Sequence, residues 1–461
     1  ALAILGAFGA ATALYAGIDR KIDILLTSSG AAAVTRHLLQ TSLRHLLLMG
    51  SLLAIPNFLA AFVISILFRS TDSARHPTLY GLDLLGAALG SLVCVFMMEY
   101  GGYRWPLAMT VSMPLLAGFC LARRRRGCWQ TAAAVALSLS WLVTLDPRLS
   151  ALLEPRPNLR MLAGAYDGRQ KVTQEWHTWN AYTRVTALAV EEAQGNVRRF
   201  FAFGSGQGRA SLERYLPGAG AQGSNGSRAG VVAAFGVPRR ALILFAGVGS
   251  EVVALDRMSG GRTDITAVEV NRPMVRWARA RKENGLDALF SKSNVHFHVA
   301  EARAFLEADR SRYDLIWLPY FGSGYRGALW FSVEDLAQFT FTREAYRKLL
   351  ERLAPGGTLV TYDVNKVILL ATLRGLFEED GRNNLARCAV IMSLDSIDER
   401  RFLNPAPRSK AAFHLFRDWN TPLDNLVLLL KPSGFSSAQL AALRAFARRR
   451  GSSILYAPDS P

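Results

Sequence analysis

A chain of 461 residues has room for two or three domains, but 50% hydrophobic residues and a mean hydropathy of +0.15 are too apolar for an ordinary soluble enzyme. The net charge of +18 does not mark a nucleic-acid binder, because the arginines are scattered through loops and helix faces with no basic stripe interleaved with aromatics. Charge and hydropathy together point to a lipid bilayer with anionic headgroups, and the four cysteines, lacking metal-ligand spacing, read as reduced structural thiols.

The apolar excess is concentrated in residues 1–145. Ala1 to Ile18 reads as the tail of a transmembrane helix in a chain that continues upstream, since it has neither a basic leader nor a cleavage site. A polar, basic stretch from Asp19 to Arg44 follows, with the composition of an interfacial helix. His45 to Phe68 is long enough to span, though Pro56 and Asn57 interrupt it. Leu79 to Met98 is the next span. Its Gly86-Ala87-Ala88-Leu89-Gly90 offers a small-residue face that lets another helix approach closely. Asp83, one turn into that helix, reads as a packing hydrogen bond rather than a proton or ion site. Trp105 to Leu121 and Trp129 to Leu145 complete the set, joined by the basic turn Arg123 to Arg126.

By the positive-inside rule that turn is cytoplasmic, which would place Asp146 onward on the far side of the membrane, away from cytoplasmic metabolites. Three readings stand: the arginines do not set orientation, one segment does not cross, or the domain that follows is not a working enzyme on such metabolites. The proline-rich stretch Asp146 to Asn158 is a linker. Aromatic-rich β runs from Met161 to Tyr215, among them Trp176 to Val185, then predict a small antiparallel subdomain, so that residues 146–230 form linker plus subdomain. Gly204-Ser205-Gly206-Gln207-Gly208 is a hairpin turn rather than a phosphate loop, because no Lys-Ser/Thr follows. Gly218 to Gly230 is rich in Gly, Ser and Asn and reads as mobile.

From residue 231 the pattern alternates strictly. Strands are predicted at 242–245, 265–269, 295–299, 313–318, 357–362 and 388–393, with helices at 250–257, 272–284, 301–307, 342–353 and 365–378 between them. A run at 426–430, a helix at 437–450 and a strand at 453–456 close the chain. The alternation predicts a doubly wound, Rossmann-like α/β domain with a parallel sheet.

Three places in that domain bear on chemistry. Gly247 and Gly249 break the first strand into a helix, and Glu269 ends the next strand about twenty residues later. That spacing lets glycine backbone approach a ligand at a helix N-terminus while a carboxylate meets a ribose diol; a solvated strand-end acid is the competing reading of Glu269. Glu301, after the third strand, is either an adenine contact or a helix N-cap. The loop after 313–318 is where a general base is expected, yet it reads Pro319-Tyr320-Phe321-Gly322-Ser323-Gly324-Tyr325. Glu334 and Asp335 read as a solvated face. His177, His296 and His298 are the remaining bases; His296 and His298 share one strand face, but no third ligand accompanies them, so no metal is expected.

Taken together, Ala246-Gly247-Val248-Gly249-Ser250, Val268-Glu269-Val270-Asn271, Glu301-Ala302-Arg303-Ala304-Phe305-Leu306, Tyr313-Asp314-Leu315-Ile316 and the stretch from Phe341 to Gly357 resemble the spermidine synthase family, which has the class I S-adenosylmethionine methyltransferase fold. Tyr80 to Gly90 is similar to a helix of that family's membrane-integrated members, and Phe435 to Leu440 with Leu455 to Pro458 resembles their C-terminal part. The resemblance covers most of residues 45–460. It implies a membrane-integrated transferase, moving an aminopropyl or methyl group, in a bacterial cytoplasmic (inner) membrane. It further implies S-adenosylmethionine or its decarboxylated form as cofactor, held by Gly247, Gly249, Glu269 and Glu301. Three departures stand out: Pro319 replaces the family's catalytic aspartate, the glycine turn is shorter in glycine, and Glu301 stands in place of Asp. No catalytic residue is therefore assigned. The alternative is a catalytically inactive subunit or scaffold of a larger membrane complex, joined to partner subunits through the Gly86 and Gly90 face.

Overall fold

The structure of the protein, a computed structural model, describes residues 58, 61–62, 64–102, 104–121, 134–135, 138, 141–142, 171–181, 184–191, 197–203, 208–211, 230–232, 234–281, 285–319, 340–362, 366–381, 384–394 and 426–459. The chain divides into two units, residues 1–198 with 202–206, and residues 199–201 with 207–461.

In the first unit a 3-10 turn, Ser73–Arg75, leads into the 26-residue helix α1, His76–Gly101. Pro77 sits in its first turn, where a missing N–H costs no hydrogen bond, and Gly102 (φ 69°) ends it, donating its N–H to the Met98 carbonyl. At 1.5 Å per residue α1 is about 39 Å long, more than the ~30 Å hydrocarbon layer of a bilayer. None of its residues is buried, and Leu82, Leu85, Leu89, Leu92 and Phe96 all lie exposed. Asp83 is exposed as well. Helix α2, Arg104–Leu121, coincides with an expected span, but only the Ser73–Gly101 stretch is, among the described residues, long and apolar enough to cross a membrane. A multi-span region is thus not established. Ala1 to Ile18, Asp19 to Arg44, the arginine turn 123–126 and the linker lie outside the described residues, as do most of His45 to Phe68 and Trp129 to Leu145.

The predicted β runs appear as β1, Lys171–Trp179, and β2, Arg184–Glu191, an antiparallel pair with a bulge between Gln174 and Trp176. Seven successive residues of β2, Arg184 to Val190, are buried. Strands β3, Val197–Phe203, and β4, Gly208–Ser211, flank the expected hairpin turn, whose residues 204–207 are outside the described set.

The second unit is built on an eight-stranded sheet. In chain order its elements are β5 (Arg240–Leu244), α3 (Ser250–Ser259), β6 (Asp264–Glu269), α4 (Arg272–Arg279), α5 (Leu286–Phe290), β7 (Val295–Val299), α6 (Ala302–Ala308) and β8 (Tyr313–Leu318). Then come α7 (Arg343–Glu351), β9 (Leu353–Thr361), α8 (Lys366–Glu379), α9 (Leu385–Cys388), β10 (Ala389–Ser393), β11 (Leu426–Leu430), α10 (Ser437–Arg450) and β12 (Ser453–Tyr456). The strand order is β12-β10-β11-β9-β8-β5-β6-β7. Strands β5 to β9 pair in parallel; the central β5, β6 and β8 are short runs that helices cover, while β7, at the sheet edge, buries only Val295. The expectation of a wholly parallel sheet is corrected at one edge: β11 inserts antiparallel between β9 and β10, and β12 adds antiparallel to β10. An apolar run buried on both faces, as all five residues of β11 are, carries no mark of its direction. The result is a mixed, mainly parallel, Rossmann-like sheet.

Side-chain alternation sends Leu242, Leu244, Ile316, Leu318 and Leu359 to one face, against Leu306 of α6, Tyr346 and Leu349 of α7 and Leu373 of α8. The helix ends are fixed locally. Thr342 accepts the Ala345 N–H at the start of α7, and Ser436 with Gln439 forms a capping box on α10. Cys388 is buried and donates to the Pro432 carbonyl, and burial pushes its thiol above the usual range, as an inert structural thiol requires.

A polar clamp holds α3 to the turn before β7. Asp256, 3% exposed, meets Lys292 Nζ at 2.7 Å and accepts from Asn294 Nδ2 at 3.3 Å, while Asn294 also donates to the Thr263 carbonyl at 2.8 Å. Asp256→Ala removes the acceptor and leaves Asn294 half-satisfied, but Lys292, with 29% of its side chain exposed, turns to water. The expected loss is about 1.5–3 kcal/mol of unfolding free energy, read as a lower denaturant midpoint.

Candidate functional site

The sheet order reverses at β5: β6 and β7 lie on one side of it, β8 and β9 on the other. Such a reversal opens a crevice at the carboxyl ends of the strands, because the connections leave to opposite faces there. The glycine turn sits at that point. Gly247 (φ 57°) and Gly249 (φ 95°) both adopt left-handed backbone, which a side chain disfavours, and Gly249 serves as the N-cap of α3 with no side-chain cap. The turn is held to the sheet through Ala246 N–H, which donates to the Val268 carbonyl at 2.9 Å, and closed by Gly249 N–H on the Ala246 carbonyl at 2.8 Å.

Glu269 ends β6 beside this turn and is 7% exposed. Its Oε2 accepts the Gly247 N–H at 3.0 Å. Its Oε1 accepts the Asn271 N–H at 2.9 Å and Asn271 Nδ2 at 2.8 Å. The solvated strand-end reading therefore does not hold. Of about four lone-pair positions on a carboxylate, three are spent inside the protein, which leaves Oε2 room for about one further donor such as a ribose hydroxyl. Sequence spacing alone could not show that the turn and the acid bind each other.

Glu301 lies one strand further along, at the end of β7, where Val299 pairs with Glu269. Its carboxylate caps α6, Oε1 taking the Arg303 N–H at 2.9 Å and Oε2 the Ala304 N–H at 2.7 Å. The N-cap reading is thus realised, and each oxygen keeps a lone pair on the same sheet edge as Glu269. Past β8, Pro319 is buried; residues 320–325, Glu334 and Asp335 lie outside the described residues. His296 Nε2 sits 3.0 Å from Asp264 on the exposed β7 edge, and the His298 ring packs on Phe305. His177 is bonded through Nδ1 to Gln174 Nε2, in the first unit. Among the described residues no three His, Cys, Asp or Glu side chains gather as a metal site.

One feature has no sequence signature. Phe245, read as the last residue of the first strand, lies past β5 with φ 55°, and its ring stacks on Phe341 at 5.8 Å and 12°. Left-handed backbone at a bulky residue costs about 1–3 kcal/mol and concentrates at functional sites. The pair stands between the glycine turn and α7.

No protein-family model and no curated protein sequence matches the chain. Among solved structures it is similar to a spermidine synthase in complex with the transition-state analogue AdoDATO, at 11% identity and TM-score 0.38, over 61% of this chain and 81% of that one. The spermidine synthase of Thermotoga maritima gives 11% identity and TM-score 0.37, over 61% and 80%. Human methyltransferase-like protein 13 in complex with SAH gives 15% and 0.30, over 49% and 88%.

Proposed function

We propose that the second unit binds an S-adenosyl nucleoside, S-adenosylmethionine or its decarboxylated form, at the crevice over the carboxyl ends of β5, β6 and β7, and that the protein is a membrane-integrated, spermidine synthase-like transferase of aminopropyl or methyl groups. The observation that carries this reading is the left-handed Gly247–Gly249 turn at the strand-order reversal, bonded to a Glu269 that keeps an acceptor position at the crevice. The uncapped N-terminus of α3 places positive dipole at the same spot, suited to the carboxylate of an amino-acid tail. Glu301, on the neighbouring strand end, is placed to meet an adenine amino group. Membrane integration is supported by α1, a helix exposed all round with apolar side chains, which lipid satisfies and water does not.

Pro319 stands where the transfer reaction needs a base, and this favours a second reading: an inactive, scaffold-like subunit that keeps the nucleoside site and joins other membrane subunits through the Gly86 and Gly90 face of α1. An added Cβ meets nothing within 4 Å at either glycine, so that face is open in the described structure. Full-length protein in membranes, incubated with putrescine as acceptor and either decarboxylated S-adenosylmethionine or S-adenosylmethionine as donor, separates the readings. Methylthioadenosine release supports aminopropyl transfer and S-adenosylhomocysteine release supports methyl transfer. Neither product from protein that binds the nucleoside establishes the inactive subunit.

A further inference from the structure

The other end of the same sheet holds a second cleft. Arg240 opens β5, Asp314 is the second residue of β8, and Lys431 follows β11, whose antiparallel direction brings its end to the amino edge of the parallel strands. Between them lies a cavity of about 220 Å³. That is about seven waters at ~30 Å³ each, room for a molecule the size of one substituted ring.

Its walls are of two kinds. Phe235, Val237 and Leu315 are apolar, and Arg239, Lys431 and Asp314 carry charge. Asp314 is engaged within the protein, its Oδ2 accepting the backbone N–H groups of Arg239 and Arg240 at 2.9 and 3.0 Å. Lys431 has no ionic partner among the described residues. Half-buried Lys431 donates to Gln439 Oε1 at 3.3 Å, an oxygen that also accepts the Ser436 N–H at 3.1 Å, and no carboxylate among the described residues pairs with it. Burial holds this ammonium below the usual lysine range, a desolvation cost that a neutral amide oxygen offsets only in part. Gly236 (φ 90°) and Gly356 (φ 77°) line the cleft, and an added Cβ at either meets nothing within 4 Å, so the mouth is open.

We propose that this cleft is a second ligand site, for a small monocarboxylate with an apolar body whose carboxylate pairs with Lys431 while the body lies on Phe235, Val237 and Leu315. A single negative charge suits it better than a phosphate dianion. Of the two cations in its lining only the Lys431 ammonium is half-buried, Arg239 being exposed; Asp314 stands on the same wall, and the α10 terminus is already capped by Ser436. The site is independent of the nucleoside crevice, since its residues come from the opposite strand ends.

Calorimetric titration of the full-length protein with benzoate, its neutral isostere benzamide and inorganic phosphate tests the assignment. Benzoate is expected to bind about tenfold or more tightly than either of the others. Lys431→Gln should weaken benzoate by about tenfold or more, and Lys431→Arg should keep it within about threefold. Val237→Trp, at a position 45% exposed, should fill the cleft and abolish binding with the unfolding midpoint unchanged. Because binding needs the ammonium form, benzoate affinity should fall as pH rises through the lowered Lys431 pKa, earlier than for an ordinary lysine. No benzoate binding, equal binding of benzamide, tighter binding of phosphate, or wild-type affinity in Lys431→Gln would each overturn the proposal.

Discussion

Glutamine in place of Glu269 is expected to weaken S-adenosyl nucleoside binding by about ten- to a hundredfold and to cost about 2 kcal/mol of stability. The buried carboxylate accepts three N–H groups, from Gly247 on one oxygen and from Asn271, twice, on the other. A glutamine amide has one oxygen. Whichever way it turns, its NH₂ confronts either the Gly247 N–H or the Asn271 pair, and a charge-assisted bond worth about 1.5–3 kcal/mol becomes donor against donor. If the amide oxygen stays with Asn271, the NH₂ faces the turn and the acceptor offered to a ribose hydroxyl disappears. If it faces Gly247, the Asn271 side chain must leave the start of α4, and the stability loss is larger. Binding is read by calorimetry and stability by the denaturant midpoint. A midpoint loss with unchanged nucleoside affinity would confine Glu269 to holding the turn.

Arginine at both Leu85 and Leu89 of α1 should abolish its insertion. The two positions are one turn apart on one helix face and are 55% and 53% exposed. At the centre of a spanning helix each arginine costs about 2.5–3.5 kcal/mol, so the pair costs about 5–7 kcal/mol, which reverses the preference of a single helix. At a water-exposed surface the same substitutions would change stability by about 0.5 kcal/mol or less. Single cysteines at Ser73 and Arg104, in a background free of other cysteines, report the outcome. In the parent protein a membrane-impermeant thiol reagent should reach only one of them from a given side. In the double-arginine protein both should label from the same side. Labelling of both in the parent itself would count against a spanning α1.

How much of this was legible in the amino-acid order differs between the two ends of the sheet. Strands at 295–299, 313–318, 426–430 and 453–456 and the helix at 437–450 stand where their patterns place them, because short apolar or alternating runs between turn residues and a helix with its own cap are strong local signals. Direction was not legible for β11, nor was the early start of β9. There Leu353 pairs with Tyr313 across a bulge, ahead of the strand start expected at 357. The glycine turn and Glu269 were visible as types at a spacing, but their mutual hydrogen bond, the left-handed Phe245 and the N-cap role of Glu301 depend on geometry. The Lys431 cleft had no local pattern at all, since its walls come from residues near 235, 314, 356 and 431, which only the folded sheet brings together.

The central claim is that the crevice over Gly247, Gly249 and Glu269 holds an S-adenosyl nucleoside. Titrating the purified full-length protein with S-adenosylmethionine and with its decarboxylated form, by calorimetry and by thermal shift, tests it most directly. Saturable heat with at least one of them, a rise in the unfolding temperature, and an affinity about ten- to a hundredfold weaker in Glu269→Gln are the predicted results. Neither heat nor a thermal shift with either nucleoside would contradict the account.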